Sequence, residues 1–261
     1  MVRSFLFAQD DADSATTRLI TTAAQVTGFM KGEPGAARPG WYRAGGDNAD
    51  FMAQLYQALA TTYPAAGPAF WAVRLWTNLI WQPAYLAVIG THIHNALPDL
   101  DSLSQQRRGI YVDGYRLVPG AQSQGDVAAR IERASGQLKV MSARLHQEVN
   151  AVAKLRHLPA QRLLADRMLS LMVWLRSRQP TLSVDTVVAY SEAWMAALGL
   201  SSQGQLETVR APDGRALLIV KRKGCCLDYL IDPTRLCASC PKQDNALRVA
   251  RQSANALAEL D

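Results

Sequence analysis

Cysteine is scarce in this chain, and the few cysteines are concentrated in one place. Only 4 of the 261 residues are cysteine, and all of them lie within residues 225–240. Long apolar runs are also missing: residues 68–89, the most apolar region, are interrupted by Arg74 and Pro83 among others, short of the ~20 apolar residues that span a membrane. The N-terminal sequence lacks the apolar stretch of a signal peptide. We therefore expect a cytoplasmic protein with reduced thiols, which disfavours two disulfides.

Motifs of nucleotide binding and of nucleophilic catalysis are absent too. The sequence contains no G-x-G-x-x-G, no P-loop and no G-x-S-x-G. The formal net charge of +6 is mild and the basic residues are spread through the chain, so nothing predicts a nucleic-acid surface, although an acidic protein partner is compatible. A hydrophobic fraction of 49% is sufficient for a substantial core.

The four cysteines predict a metal site. An adjacent pair, Cys225 and Cys226, is followed after ten residues by a C-x-x-C unit, Cys237 and Cys240. Four sulfur ligands suit either zinc or an iron–sulfur cluster. Cys₄ zinc sites usually use two C-x₂₋₄-C units, and an adjacent pair is not such a unit, because neighbouring side chains in extended backbone point to opposite faces. The spacing favours a [2Fe–2S] cluster and leaves zinc open.

The arrangement C-C-x₁₀-C-x₂-C, with Tyr229 three residues beyond the pair, resembles the C-terminal motif of the FhuF-like ferric-siderophore reductases. The resemblance is specific over the motif and general over the rest of the chain. It implies that the four cysteines hold a [2Fe–2S] cluster. It also implies a cytoplasmic oxidoreductase that passes electrons to Fe(III) held by an imported siderophore, commonly of the hydroxamate type.

Basic residues bracket the cysteines in sequence. They are Lys221, Arg222, Lys223, Arg235 and Lys242. Four thiolates and two bridging sulfides outweigh the charge of two ferric ions, so nearby cations would offset the negative charge and raise the reduction potential. We expect Lys221, Arg222 and Lys223 to help dock an acidic electron donor such as ferredoxin or flavodoxin. The alternative is that they only keep the end of a strand soluble.

Candidates for substrate contact are less specific. His92 and His94 would share one face if their segment is extended, but ordinary hydrogen bonding is the preferred interpretation of each. A helix after Ser142 carries further charged or polar side chains, namely Arg144, His146, Glu148, Lys154, Arg156 and His157. Such a charged face is usually solvated. A pocket for an oxygen-rich ferric complex needs donors, so Arg144 and His146 are retained as candidates.

The pattern predicts an α+β protein, mainly helical, with small antiparallel hairpins and a C-terminal cysteine-rich loop. We expect a helical region, residues 1–205, that binds the siderophore, and a cluster-binding region, residues 206–261, forming one compact unit with it. Tryptophans 71, 76 and 81 are expected in the core or a pocket, with contact at the inner face of the membrane as the alternative. Helices are predicted at Thr16–Phe29, from Asp50, through residues 68–89, within residues 125–198 and at Asn245–Leu260. Ser183 and Gly199 are the predicted caps of the last helix within residues 125–198. Hairpin turns are predicted at Asp113-Gly114 and at Pro212-Asp213-Gly214.

Other functions stay open at this point. An iron–sulfur sensor that regulates transcription would need a helix-turn-helix beside a basic stripe, and we find none in the sequence. A zinc-stabilised binding module would share the cysteines without catalysis. A siderophore-binding or biosynthetic protein related to siderophore synthetases would need a nucleotide site, and no such motif is present.

Overall fold

The computed structural model describes residues 2–211, 213–234 and 236–258, with side chains from residue 12 onward. The predicted α+β class is confirmed, because helices dominate and two small sheets complete the fold. The helices are α1 Val2–Thr27, α2 Ala49–Thr62, α3 Gly67–Ile89, α4 Val127–Val152, α5 His157–Arg178, α6 Val184–Leu198 and α7 Asn245–Ala258. The strands are β1 Gly32–Pro34, β2 Tyr42–Arg43, β3 Leu103–Arg108, β4 Tyr111–Leu117, β5 Gln205–Arg210 and β6 Ala216–Lys221.

Helix α3 lies at the centre of the core. It is apolar on all sides, and it packs against α2, α4 and α5 with Phe70, Trp76 and Leu79 almost fully buried. Trp71 and Trp81 are half-buried, and each indole N–H donates to a backbone carbonyl. Within the described residues, no helix has the length and apolar character required to cross a membrane.

The helix signals in the sequence are partly confirmed. The Ser183 hydroxyl accepts a hydrogen bond from the Thr186 N–H at 3.0 Å, and Gly199 ends α6 with a φ of 70°. Helix α1 is longer than the predicted Thr16–Phe29 and ends at Thr27. The predicted end of α7 at Leu260 lies outside the described residues.

The first hairpin was predicted wrongly. Its strands are β3 and β4, and the turn lies at Gly109, whose φ of 62° supplies the required backbone. Asp113 and Gly114 lie inside β4, where the register shifts opposite Gln106. Gly114 has a φ of 91°, so its glycine accommodates a bulge and not a turn.

Strands β3 and β4 belong to a sheet with the order β1-β4-β3-β2. β1 pairs parallel to β4, and it lies between α1 and α2, where no strand was predicted. The other pairs are antiparallel.

The second hairpin was predicted correctly: β5 and β6 pair over their whole length. Asp213 and Gly214 lie in its turn, while Pro212 lies outside the described residues. Leu218 and Val220 of β6 are buried in the same core as α3–α6. The Gln252 side chain on α7 bonds both the N–H and the C=O of Val220. β6 is thereby held between α5 and α7, and its end leads into the cysteines.

Candidate metal centre

The segment that enters the cysteine loop is fixed by one buried carboxylate, Asp166 of α5. Asp166 is 3% exposed and accepts hydrogen bonds from the backbone N–H groups of Lys223 and Gly224 at 3.2 and 2.7 Å. It also accepts from Arg222 Nε at 3.2 Å. Burial raises the pKa of Asp166, and the Arg222 charge opposes that rise. Three donors therefore converge on one carboxylate, and they fix the backbone just before Cys225.

Gly224 is required by close packing against α5. A Cβ at this position would lie 2.7 Å from Asp166 Oδ2 and 3.1 Å from backbone atoms of Arg162 and Leu163. Only glycine lets the backbone approach the helix this closely, so any side chain here would push the loop away from α5.

Arg222 connects this anchor to the cysteines. Its side chain is 14% exposed, and its guanidinium lies between Asp166 and Cys237, with Nη1 3.6 Å from Cys237 Sγ. Burial lowers the pKa of Arg222, but the Asp166 charge and the sulfurs of Cys237 and Cys226 outweigh burial, so the pKa is raised. The cation is thus held in its charged form beside two of the four sulfurs.

The chain after the adjacent pair is tied to α3. Leu227 has a φ of 61°, a left-handed conformation that is costly for leucine, and a 3₁₀ turn at Asp228–Leu230 follows. Asp228 Oδ1 lies 2.6 Å from Arg74 Nη2 on α3. The left-handed residue and this ion pair set the direction in which the loop leaves Cys226.

The C-x-x-C unit forms a tight turn that α7 supports. The Cys240 N–H donates to the Cys237 carbonyl at 3.0 Å. Gln243 Nε2 donates to the Ala238 carbonyl at 2.6 Å, and Arg251 donates both to Gln243 Oε1 and to the Leu236 carbonyl. Polar side chains of α7 and of the residues just before it therefore donate hydrogen bonds to the carbonyls of the turn and hold its backbone in place.

The four sulfurs form one electrostatic group. Cys226 and Cys237 are close enough to share a proton, which lowers the pKa of Cys226 to about 6 and raises that of Cys237. Burial raises the pKa of Cys225, and the neighbouring Cys226 and Cys240 raise it further. The neighbouring Cys240 also raises the pKa of Cys237. Each of the two cysteine pairs thus has a partner in the other pair.

This donor set fits a two-iron cluster. A [2Fe–2S] cluster divides four thiolates between two irons. Cys225 and Cys237 each interact with both Cys226 and Cys240, so the four described sulfurs provide the soft donors that such a cluster requires.

Cysteines of the loop lie in the walls of two described cavities. One, of about 230 Å³, has Cys226 and Cys237 in its wall together with three guanidinium groups, those of Arg74, Arg167 and Arg222. Burial lowers the pKa of Arg167, and the like charges of Arg222 and Arg74 lower it further. The other cavity, of about 550 Å³, has Cys225 in its wall. The two members of the adjacent pair therefore line different cavities.

The described basic residues around the cysteines interact with other groups of the fold. Lys221 Nζ lies 3.2 Å from Glu207 Oε1, and Lys223 Nζ donates to the Ser202 carbonyl at 2.8 Å. Lys242 Nζ lies 4.4 Å from the centre of the Tyr229 ring. Arg222 is only 14% exposed and faces Asp166, so little of its side chain is available to a docking partner. Arg235 lies outside the described residues.

The histidine segment is helical and not extended. His92 and His94 lie in a π-helical turn, Gly90–His94, that continues α3. His92 is buried and its Nε2 accepts from Trp194 Nε1 at 2.9 Å, while His94 Nε2 lies 3.1 Å from Gln122 Oε1. Both rings bond to side chains of the helical core and its loops, and neither lines either of the two cavities beside the cysteines.

The helix after Ser142 is shorter than expected. It ends at Val152, so Lys154 and Arg156 lie in the linker to α5 and His157 begins that helix. Arg144 Nη1 pairs with Asp101 at 3.2 Å, both side chains being about half exposed. His146 Nε2 lies 2.9 Å from the Leu155 carbonyl, inside the same linker. His146 therefore contacts the linker that carries Lys154 and Arg156.

The cysteine loop is similar to a known protein family. Residues 222–242, which begin at Arg222 and include all four cysteines, match the family model of the FhuF 2Fe-2S C-terminal domain. This segment is FhuF-like. The match points to a [2Fe–2S] cluster, for which the four cysteines supply the thiolates. No solved structure matches the chain.

Sequence reasoning missed the residues that hold the FhuF-like loop in place. Asp166 and Arg167 lie on α5, among buried apolar residues such as Leu163 and Met168. A carboxylate in an otherwise apolar stripe is the signal that could have marked Asp166. Arg74, likewise, was treated only as an interruption of an apolar segment.

Proposed function

We propose that this protein is a ferric-siderophore reductase. It takes an electron from an acidic donor, such as ferredoxin or flavodoxin, and passes it to Fe(III) in a siderophore of the hydroxamate type, which releases Fe(II) in the cytoplasm. The observation that carries the proposal is the FhuF-type match over residues 222–242, which includes all four cysteines.

In this proposal Cys225, Cys226, Cys237 and Cys240 are the cluster ligands. When bound, a [2Fe–2S] cluster supplies one electron at a time. The protein provides the four thiolates, and it holds them on a backbone fixed by Asp166 at one end and by Arg251 at the other. Rigid ligands limit the structural change that accompanies electron transfer.

Two cations adjust the affinity of the site for electrons. Arg222 donates toward Cys237 Sγ, and Arg167 lies in the same cavity wall as Cys226 and Cys237. Hydrogen bonds to ligand sulfur and positive charge nearby both favour the reduced state. We expect these residues to make the site easier to reduce by a protein donor.

The substrate chemistry requires no nucleophile. Hydroxamate oxygens are hard ligands that bind Fe(III) better than Fe(II), so the gain of one electron weakens the complex and frees the metal for cellular ligands. The electron is replaced by the acidic donor. This balance agrees with a chain in which we find no nucleotide or hydrolase motif.

The test is single-turnover reoxidation. Anaerobic protein, reduced with one electron equivalent of dithionite so that no reductant remains, is mixed with a ferric hydroxamate complex and an Fe(II) chelator, and the reoxidation is followed by visible absorbance. We expect reoxidation at the rate at which the Fe(II) chelate forms. If ferric complexes of several classes fail while small artificial oxidants succeed, the reductase proposal is wrong and a sensor role replaces it.

A further inference from the structure

The cavity beside Cys225 is larger than the one beside Cys226 and Cys237, and its lining combines apolar side chains with basic ones. Its volume of about 550 Å³ falls in the range of small-molecule pockets. Apolar atoms from Val73, Leu155 and Leu227 contribute to its wall. Its charged lining residues are all basic: Lys154, Arg156, Arg162 and Lys223. No aspartate or glutamate is found among the described residues that line it.

This distribution of charge differs from that of the cavity beside Cys226 and Cys237. There, Arg74 and Arg222 are paired with Asp228 and Asp166. Beside Cys225, Lys154 and Arg156 are exposed and have no ion pair with a described residue. The Cys225 cavity therefore carries positive charge that the fold itself does not neutralise.

The linker between α4 and α5 places these two cations. Ala153 and Leu155 are buried, while Lys154 and Arg156 are exposed, which is the alternation of an extended segment. Asn150 fixes the linker at both backbone groups of Leu155: its Oδ1 accepts from the N–H at 3.2 Å, and its Nδ2 donates to the carbonyl at 3.0 Å. The cations thus stand on a braced backbone and not on a free loop.

The geometry points to this cavity as the substrate pocket, and we propose that it selects ferric siderophores that carry a free anionic group. This rests on the proposed function and names the substrate class within it. The apolar wall accepts the organic part of the complex, Lys154 and Arg156 pair with its pendant carboxylate, and Cys225 brings the site of electron transfer to the pocket. A cationic complex is disfavoured by the same residues.

Ligands that differ only in pendant charge test this selectivity. Desferrioxamine B has a protonated amine, its N-acetyl derivative is neutral, and its N-succinyl derivative carries a carboxylate, while all three present the same hydroxamates to the metal. Their Ga(III) complexes cannot be reduced in the same way, so calorimetric binding to the holoprotein reports affinity without electron transfer. We expect the succinyl complex to bind most tightly and the amine complex least.

Arg156→Gln should weaken binding of the succinyl complex about 3- to 5-fold, and Lys154→Gln/Arg156→Gln about tenfold, with the acetyl complex within about twofold of wild type. Arg178→Gln is the matched control, because Arg178 is an exposed arginine at the far end of α5, about 24 Å from Arg162 at 1.5 Å per residue. Raised salt should reduce the preference for the succinyl complex.

The outcomes separate this inference from the proposed function. Equal affinity for the three Ga(III) complexes, or an equal loss in Arg178→Gln, overturns the pocket assignment even if all three Fe(III) complexes reoxidise the reduced protein. Selective binding with no reoxidation by any Fe(III) complex supports the pocket and refutes the reductase proposal. If Arg156→Gln slows reduction by an acidic ferredoxin and leaves Ga(III) binding unchanged, the cavity receives the donor and the assignment is wrong.

Discussion

The substitution Asp166→Asn tests whether one buried carboxylate holds the cysteine loop. It removes the charge that faces Arg222 and leaves an amide that cannot accept from all three donors. Breaking a buried ion pair on one side costs about 3–5 kcal/mol, because the remaining charge is left unpaired. A typical domain is stable by only about 5–15 kcal/mol, so the loss is a large fraction of the total.

A control pair with the same separation makes this test quantitative. Asp101 and Arg144 are also 3.2 Å apart, but their side chains are 53% and 47% exposed, against 4% and 14% for Asp166 and Arg222. Asp101→Asn should therefore cost only about 0–1 kcal/mol. The two substitutions remove the same chemical group at the same distance from an arginine, and the sites differ in burial and in the two backbone hydrogen bonds that Asp166 also accepts.

The assay is urea unfolding of the reduced, metal-free protein, with amide hydrogen exchange at Lys223 and Gly224 as a local readout. Asp166→Asn should lower the unfolding free energy and accelerate exchange at both amides, while Asp101→Asn changes neither. If Asp166→Asn does not fold, Asp166→Asn/Arg222→Met removes both partners and should recover much of the loss. A cost for Asp166→Asn no greater than that of Asp101→Asn would refute the anchoring role.

The remaining predictions concern pH, packing and donor docking. Burial lowers the pKa of His92 to about 4, so the folded state binds fewer protons than the unfolded state between about pH 4 and 6.5. The resulting contribution of about 3 kcal/mol to the unfolding free energy is complete above pH 6.5 and is lost as the pH falls toward 4. Urea unfolding at a series of pH values should show a smaller loss of stability in acid for His92→Gln than for wild type. Gly224→Ala should lower the unfolding free energy by about 1–3 kcal/mol in thermal unfolding. Gly136→Ala, at an open helical position, should raise the unfolding free energy by about 0.5–1 kcal/mol. Equal effects of the two substitutions would contradict the packing argument. Lys221→Glu should slow reduction by ferredoxin or flavodoxin in stopped-flow measurements and not reduction by dithionite, with a difference that salt diminishes. A variant slowed equally with dithionite would show an effect on the site itself.

Local signals in the sequence were reliable where the physics is local. The caps at Ser183 and Gly199, the β5–β6 hairpin and the cysteine spacing depend on residues within a few positions of one another. Each was confirmed by hydrogen bonds, strand pairing or the family match. In these cases the backbone conformation that a residue prefers is also the one that the fold uses.

The first hairpin shows where a local signal misleads. Asp113-Gly114 has the composition of a two-residue turn, but Gly109 also provides a positive φ and lies closer to the midpoint of the paired strands. The choice between two glycines depends on which register buries Val112 and Tyr115 against the core, and that is a tertiary property.

The surroundings of the cysteines could not be read from sequence for a related reason. Arg222 looks like a solvated residue at the end of a strand, and it is largely covered only because Asp166, 56 positions away, lies opposite it. Arg74 reaches Asp228 across a still longer separation. Such pairings depend on how the helices pack, so the motif identified the ligands and the fold identified the residues that support them.

The most direct test of the account is the metal content and the electron paramagnetic resonance spectrum of anaerobically purified protein, beside the Cys237→Ser variant. The account predicts about two irons and about two acid-labile sulfides per chain, a reddish-brown colour, and a signal of one unpaired electron on reduction, all of them lost or strongly diminished in Cys237→Ser. Stoichiometric zinc in a colourless wild-type protein, with no signal on reduction, would contradict it.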